Sequence, residues 1–319
     1  MGILFAAVLH LVAAGGPAHG VPPDPRADRP AAGDAGASLA CPEGTVRHVE
    51  AAGEARLEGC QDAEGQYHGP LITRDASGRI LRRLTFRHGT LDGPARFYAP
   101  SGRLVEEGRF EAGVQSGLWR AWREDGSRRY EGAYRAGLRE GRWRWWDAKG
   151  TLRRETYYDG GRRSGPHRLW WQNGRARLRM QLLGGQPEGR LEARFPDASL
   201  ALEAHFEGGR IRRQEAGPPP PDAVSPERLA ATYRPLLERA AQDLPACLGT
   251  PLEPGNGTRR ALEAHLHIEP TGSVAWLELS GGAALPPATR ACIRHRLEEL
   301  ELPLNGARDL VEVVVPLRF

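Results

Sequence analysis

Between residues 61 and 212 apolar and polar positions alternate in runs of about six to eight residues, and the runs are punctuated by glycine at a fixed interval. One glycine series heads a run at Gly69, Gly93, Gly117, Gly141, Gly165 and Gly189; a second follows at Gly78, Gly102, Gly126, Gly150 and Gly174, with Ala198 closing it; a third is Gly89, Gly113, Gly137, Gly161, Gly185 and Gly209. Every step in the three series is 24 residues. Coincident series at one period define a repeat, and a repeat decides the architecture before any other signal. Within a unit such as GLWRAWREDGSRRYEGAYRAG (117–137) the alternation has period two, so each unit predicts two strands and a turn. Asp125–Gly126 and Asn173–Gly174 predict two-residue hairpin turns, in which both central residues take positive φ. The second strands end on Phe86, Phe110, Tyr134, Tyr158, Leu182 and Phe206, one apolar residue per unit. A single hairpin cannot bury such a face, whereas stacked hairpins can. Residues 45–65 read as a decayed first unit, a cap.

Alternation also assigns faces. In EGRWRWW (140–146) Trp143 and Trp145 share one face, and Arg144 and Trp146 the other. The repeat extends this to an arginine column, Arg96, Arg120, Arg144 and Arg168, with an aromatic column two positions on, Tyr98, Trp122, Trp146 and Trp170. Arg129, Arg153 and Arg177 form a shorter second column. Two readings stay open. The aromatic columns can be packing, with arginines stacked on them or reaching past them to water. Alternatively Arg96, Arg120, Arg144 and Arg168 with Trp122, Trp146 and Trp170 form a strip for a polyanion such as lipid phosphate or acidic polysaccharide.

The pattern changes at EAGPPPPDAVSPE (215–227), a stiff proline-rich break. Beyond it, Ser225 as N-cap and Pro226 at the first helical position start a helix with Leu229, Tyr233, Leu236 and Leu237 on one side, interrupted at Pro235. RALEAHLHIEPTGSVAWLELSG reads as two strands about the turn EPTGS, PPATRACIRHRLEEL as a helix, and DLVEVVVPLRF as a last strand. The fold class expected is therefore mainly β, an antiparallel hairpin array followed by a small α+β domain. The segments are 1–20 signal peptide, 21–40 a disordered Pro/Ala-rich stretch, 41–214 capped repeats, 215–224 linker, and 225–319 the α+β domain.

Charge sharpens the array. Residues 61–215 hold 30 Arg and Lys against 20 Asp and Glu, a local +10, while the rest of the chain holds 44 − 30 = 14 against 40 − 20 = 20, a local −6. The sole lysine is Lys149, so the arginine bias itself reflects codon composition more than function. The apolar run ILFAAVLHLVAA (3–14), followed by GGPAHG, reads as an export signal; it is shorter than the roughly 20 residues a spanning helix needs. An uncleaved anchor and a lipidated Cys41, at the end of SLAC, are the alternatives. In an exported protein four cysteines favour disulfides. Of three possible connectivities, only Cys41 with Cys60 and Cys247 with Cys292 crosses no linker.

The pattern G-x-W-x-x-W/Y, D/N-G, then aromatic-x-x-G-x-x-x-G resembles MORN-type repeats of the YwqK antitoxin-like kind over residues 61–212. That resemblance implies an antiparallel β array used for binding. Its antitoxin label implies a cytosolic immunity role, the alternative to export. Gly272, Val274, Ser280, Cys292 and the closing PLRF resemble the C-terminal domain of TonB-like transducers, of the AgmX/PglI type. That resemblance implies a small periplasmic α+β domain that binds a protein partner, by strand addition at a sheet edge.

No enzyme motif is present: neither P-loop, nucleophile elbow nor paired carboxylates. His265 and His267 share a strand face without a third ligand nearby in sequence, so no metal site and no cofactor are expected. The expectation is a non-enzymatic scaffold in the periplasm or outer envelope of a Gram-negative bacterium, with a protein partner, an anionic lipid or polysaccharide at the strip, and no nucleic acid.

Overall fold

The computed structural model describes residues 39–53, 55–217, 232–233, 235–237, 239, 262–281, 287–298, 300, 302 and 310–317. The expected signal segment, most of the stretch 21–40, linker positions 218–224, the helix start at Ser225 and Cys247 lie outside the described residues.

The repeats form one sixteen-stranded antiparallel sheet. Its strands are β1 Val46–Ala52, β2 Ala55–Gln61, β3 Tyr67–Arg74, β4 Ile80–Arg87, β5 Thr90–Leu91, β6 Gly93–Tyr98, β7 Leu104–Glu111, β8 Val114–Trp122, β9 Arg128–Arg135, β10 Leu138–Trp146, β11 Leu152–Asp159, β12 Arg162–Trp170, β13 Ala176–Leu183, β14 Gln186–Arg194, β15 Leu200–Glu207 and β16 Arg210–Ala216. They are hydrogen-bonded in chain order, with β4 pairing both β5 and β6.

All three glycine series take positive φ, and so does Ala198 at 77°. The turn types, however, are exchanged relative to expectation. Between β8 and β9, Arg123 N–H donates to the Ser127 carbonyl at 2.8 Å and Gly126 N–H to the Arg123 carbonyl at 2.9 Å. That is a three-residue loop, a type I turn closed by a left-handed glycine. Asp125 is not left-handed; its Oδ1 accepts the Ser127 N–H at 2.7 Å. Asn173 does the same for Arg175 at 3.0 Å. The two-residue turns lie at the other hairpin ends, as at Ala112–Gly113 (φ 46° and 84°) and Ala136–Gly137 (49° and 76°). The side-chain bond of the Asx turn is what holds Asp125 and Asn173 out of the left-handed region.

The described residues divide into two compact units, at Glu155/Thr156. In the unit ending at Glu155 the core is aromatic. Phe110, Trp119, Tyr130, Tyr134, Trp143 and Trp145 are buried. Trp143 lies edge-on to Tyr134 at 5.0 Å and donates Nε1–H to the Ala133 carbonyl at 2.9 Å. Trp119 repeats the arrangement with Arg109 at 3.2 Å. Each indole lies on a glycine. A Cβ on Gly108 would stand 2.2 Å from the Trp119 ring, and one on Gly132 2.0 Å from Trp143. Burying an indole removes roughly 150–250 Å² from water, worth on the order of 4–6 kcal/mol at about 25 cal/mol/Å². Arg139, itself buried, caps Trp143 at 4.4 Å. The cap strand is tied down by the Cys41–Cys60 disulfide, with Cα atoms 5.5 Å apart.

In the unit starting at Thr156, the last repeats pack against a second sheet. That sheet is β17 Leu262–Ile268, β18 Val274–Gly281 and β19 Val311–Leu317, ordered β18-β17-β19 and antiparallel. The helix Pro287–Glu298 lies on it, and Tyr233, Leu237, Ile293 and Leu297 complete its core. The loop 269–273 between β17 and β18 has the same three-residue turn as the repeats, closed by Gly272 at φ 86°. Ala275 and Trp276 insert among Leu178, Met180, Leu191, Leu202 and Phe206 of the repeats. Two buried arginines join the layers. Arg163 Nε lies 2.8 Å from Glu298 Oε2, and Arg177 donates to Thr271 Oγ1 at 3.1 Å and to its carbonyl at 2.7 Å.

Candidate functional site

The arginine column is built by strand register. Arg96 on β6 stands opposite Glu107 on β7, Glu107 opposite Arg120 on β8, Arg120 opposite Glu131 on β9, and Glu131 opposite Arg144 on β10. The N···O separations along this row are 3.8, 3.5, 3.3 and 3.6 Å. Each arginine sits in the first strand of its hairpin and each glutamate in the second, so the 24-residue repeat produces an alternating Arg–Glu row rather than a row of arginines. Glu107, Glu131 and Glu155 recur at the same period of 24. That column was visible in the sequence; its register against the arginines was not.

Burial differs along the row. The Arg120 side chain is 41% exposed and that of Arg144 only 11%. Desolvation pulls the Arg144 guanidinium below its ordinary value, with Arg142 acting in the same direction and Glu131 and Glu155 opposing. Opposite charges at a cross-strand pair stabilise by roughly 0.2–1 kcal/mol, and like charges cost a similar amount. The interior of the row is thus neutral by construction.

Its aromatic companions are mostly covered. Trp122 and Trp146 are buried, and Arg128 lies over the Trp146 ring at 5.3 Å while pairing with Glu131 at 3.1 Å. Trp170 is half-buried. Past the row's interior the pattern inverts. In the first unit Arg83 stands opposite Arg96. In the second unit Arg168 stands opposite Arg179, both are exposed, and Arg179 faces Glu192 of β14 on its other side. The shorter column has separate fates: Arg153 lies 3.8 Å from Asp147, Arg177 is buried on Thr271, and Arg129 is exposed.

The two strand histidines do not gather a ligand set. His265 Nδ1 is 2.9 Å from Glu312 Oε1, and His267 stacks on Trp276 at 4.1 Å. Burial lowers the His267 pKa. Cys292 is disulfide-bonded, and no free thiol occurs among the described residues. Among the described residues no helix is long and apolar enough to cross a membrane. No protein-family model matches the chain, and no curated protein matches it.

Proposed function

We propose that the protein is a non-enzymatic binding scaffold exported to the cell envelope, and that its repeat sheet meets an anionic envelope component at Arg168 and Arg179. The carrying observation is the adjacency of two exposed arginines, Arg168 and Arg179, across β12 and β13. Where Arg120 and Arg144 face glutamate, little field is left for a polyanion. Arg168 faces Arg179, and Glu192 faces Arg179 from the other side; the two exposed guanidinium groups at opposed positions repel, and an anion bridging them offsets that repulsion. The half-buried Trp170, at the end of the same strand as Arg168, gives the contact an aromatic flank.

Disulfide-bonded Cys41, Cys60 and Cys292 support an oxidising compartment, the periplasm or outer envelope of a Gram-negative bacterium. The array is read as MORN-type and the C-terminal elements as a TonB-like α+β domain. In this reading β19, at the edge of its sheet, takes a protein partner by strand addition.

The test is binding of the full chain to vesicles containing anionic phospholipid. An arginine near such a surface contributes about 1 kcal/mol, so Arg168→Ala with Arg179→Ala should weaken binding roughly 10–30-fold. Arg120→Ala with Arg144→Ala should leave it within about 3-fold, a change below ~1 kcal/mol. Equal losses in the two double variants, or none in either, overturn the assignment.

A further inference from the structure

Away from the charged row, three metal-ligating side chains meet beside the capped end of the repeats. Asp62 begins the turn after β2, His68 is the second residue of β3, and His88 opens the two-residue turn after β4. One carboxylate oxygen of Asp62 and one ring nitrogen of each histidine lie within 4.8 Å of one another. His88 Nδ1 is 3.1 Å from Asp62 Oδ2, and the two imidazoles meet edge-on at 4.4 Å.

The repeat itself brings the histidines together. Gly89 N–H donates to the Tyr67 carbonyl at 2.8 Å, and the same bond recurs as Gly113 to Leu91, Gly137 to Gln115 and Gly185 to Arg163. This bond sets the residue before the turn glycine beside the residue 20 positions earlier. In the last unit that neighbour pair is in direct contact, Gly208 N–H donating to Glu188 Oε2 at 2.8 Å. Across the units the pair reads His88/His68, Ala112/Asp92, Ala136/Ser116, Gly160/Glu140, Gly184/Ser164 and Gly208/Glu188. The first unit alone supplies two imidazoles.

Turn chemistry does not account for His88. Its φ is 43°, in a position that later units fill with alanine or glycine. A left-handed non-glycine residue costs on the order of 1 kcal/mol. His68 carries a second signal: its Nδ1 is buried and has no hydrogen-bond partner among the described residues. A buried nitrogen without a partner is a cost that a ligand can offset. Asp62 is pre-oriented. Its Oδ1 accepts the Gln66 N–H at 2.8 Å, leaving Oδ2 turned to His88, and it follows the disulfide-bonded Cys60 by two residues. Such outer hydrogen bonds hold a ligating carboxylate in place.

From this geometry we infer that Asp62, His68 and His88 form a binding site for one divalent transition-metal ion of the zinc type. Two imidazoles and one carboxylate are a borderline-soft set suited to Zn²⁺ and its neighbours rather than to Ca²⁺ or Mg²⁺. The ion takes the place of the proton shared between His88 Nδ1 and Asp62 Oδ2. Bond lengths of about 2.0–2.2 Å require the three donor atoms, now within 4.8 Å of one another, to draw closer together around the ion. With His88 exposed, a fourth position stays open to water.

The test is calorimetric titration of tag-free full-length protein with Zn²⁺, with Co²⁺ absorption as a reporter of coordination. His88→Gly installs the residue that the later units use at this turn, so it removes a ligand without straining the fold. His68→Gln removes the second imidazole. One ion per chain is expected for the wild-type protein, with a rise in Tm on adding Zn²⁺. Each variant should bind at least ~10-fold more weakly, since even outer-shell changes cost about that much, and should lose the Tm response. Absence of one-to-one binding, or wild-type affinity retained in either variant, overturns the site.

Discussion

Glu106 shows how one side chain can set a pH response for the array. It is half-buried in β7 and accepts a hydrogen bond from the Tyr130 hydroxyl. Burial pushes its carboxyl up to about 7, against the opposing pull of Tyr130 and Arg129. The folded protein therefore holds this proton more tightly than the unfolded chain does. Glu106 contributes its stability fully below the unfolded value near 4.5, and that contribution is lost as pH rises through about 7. Asp75 works in the opposite direction and in a separate window. The Ser77 hydroxyl leads the effects that lower it to about 2, so its contribution is lost only as pH falls below 3.8. Glu106→Gln should flatten the stability profile between pH 4.5 and 7 and raise the urea midpoint at pH 8. A profile still falling across that window in the variant would assign the response to another group.

At the scale of the hairpin, the decisive contact is an indole laid on a glycine. Gly108 and Gly132 do not belong to the three turn series, and they are needed for space, not for left-handed backbone. Gly132→Ala puts a methyl group into the Trp143 ring and should destabilise by about 3 kcal/mol, the upper part of the overpacking range. Chemical denaturation measures it. A change below ~0.5 kcal/mol would mean that Trp143 shifts freely. The hairpin ends carry a second lesson. Glycine positions at the turns were legible from the period, while the turn type was not. Asp125–Gly126 reads as a two-residue signal, yet its aspartate side chain caps the Ser127 amide and favours the three-residue form. The two-residue turns fall to His88–Gly89, Ala112–Gly113 and their successors, whose central positions hold no Asp or Asn.

Across the molecule, buried arginines decide how sheets join. Arg163 and Arg177 looked in the sequence like two more basic residues of a basic repeat. In the unit from Thr156 onward they are buried against the C-terminal elements, Arg163 with Glu298 and Arg177 with Thr271. Removing one partner of a buried ion pair costs about 3–5 kcal/mol, because a desolvated charge is left alone. Arg163→Met should show that loss in thermal or chemical unfolding, and adding Glu298→Leu should restore most of it. If the double variant is no more stable than the single, the cost lies in lost packing rather than in the orphaned carboxylate.

The linear sequence determined the period, the positions of the left-handed turn glycines and the buried column Phe86, Phe110, Tyr134, Tyr158, Leu182 and Phe206. These depend on local geometry alone, a two-residue strand alternation and the steric freedom of glycine. Tertiary structure decided what stands opposite what. Cross-strand partners depend on register, and a bulge or a one-residue difference in turn length moves every pairing beyond it. For that reason Glu131 between Arg120 and Arg144, Arg168 against Arg179, and the meeting of His68 with His88 became visible only in the folded sheet. Burial of Arg163 depends on residues some 135 positions away, and no local pattern carries that information.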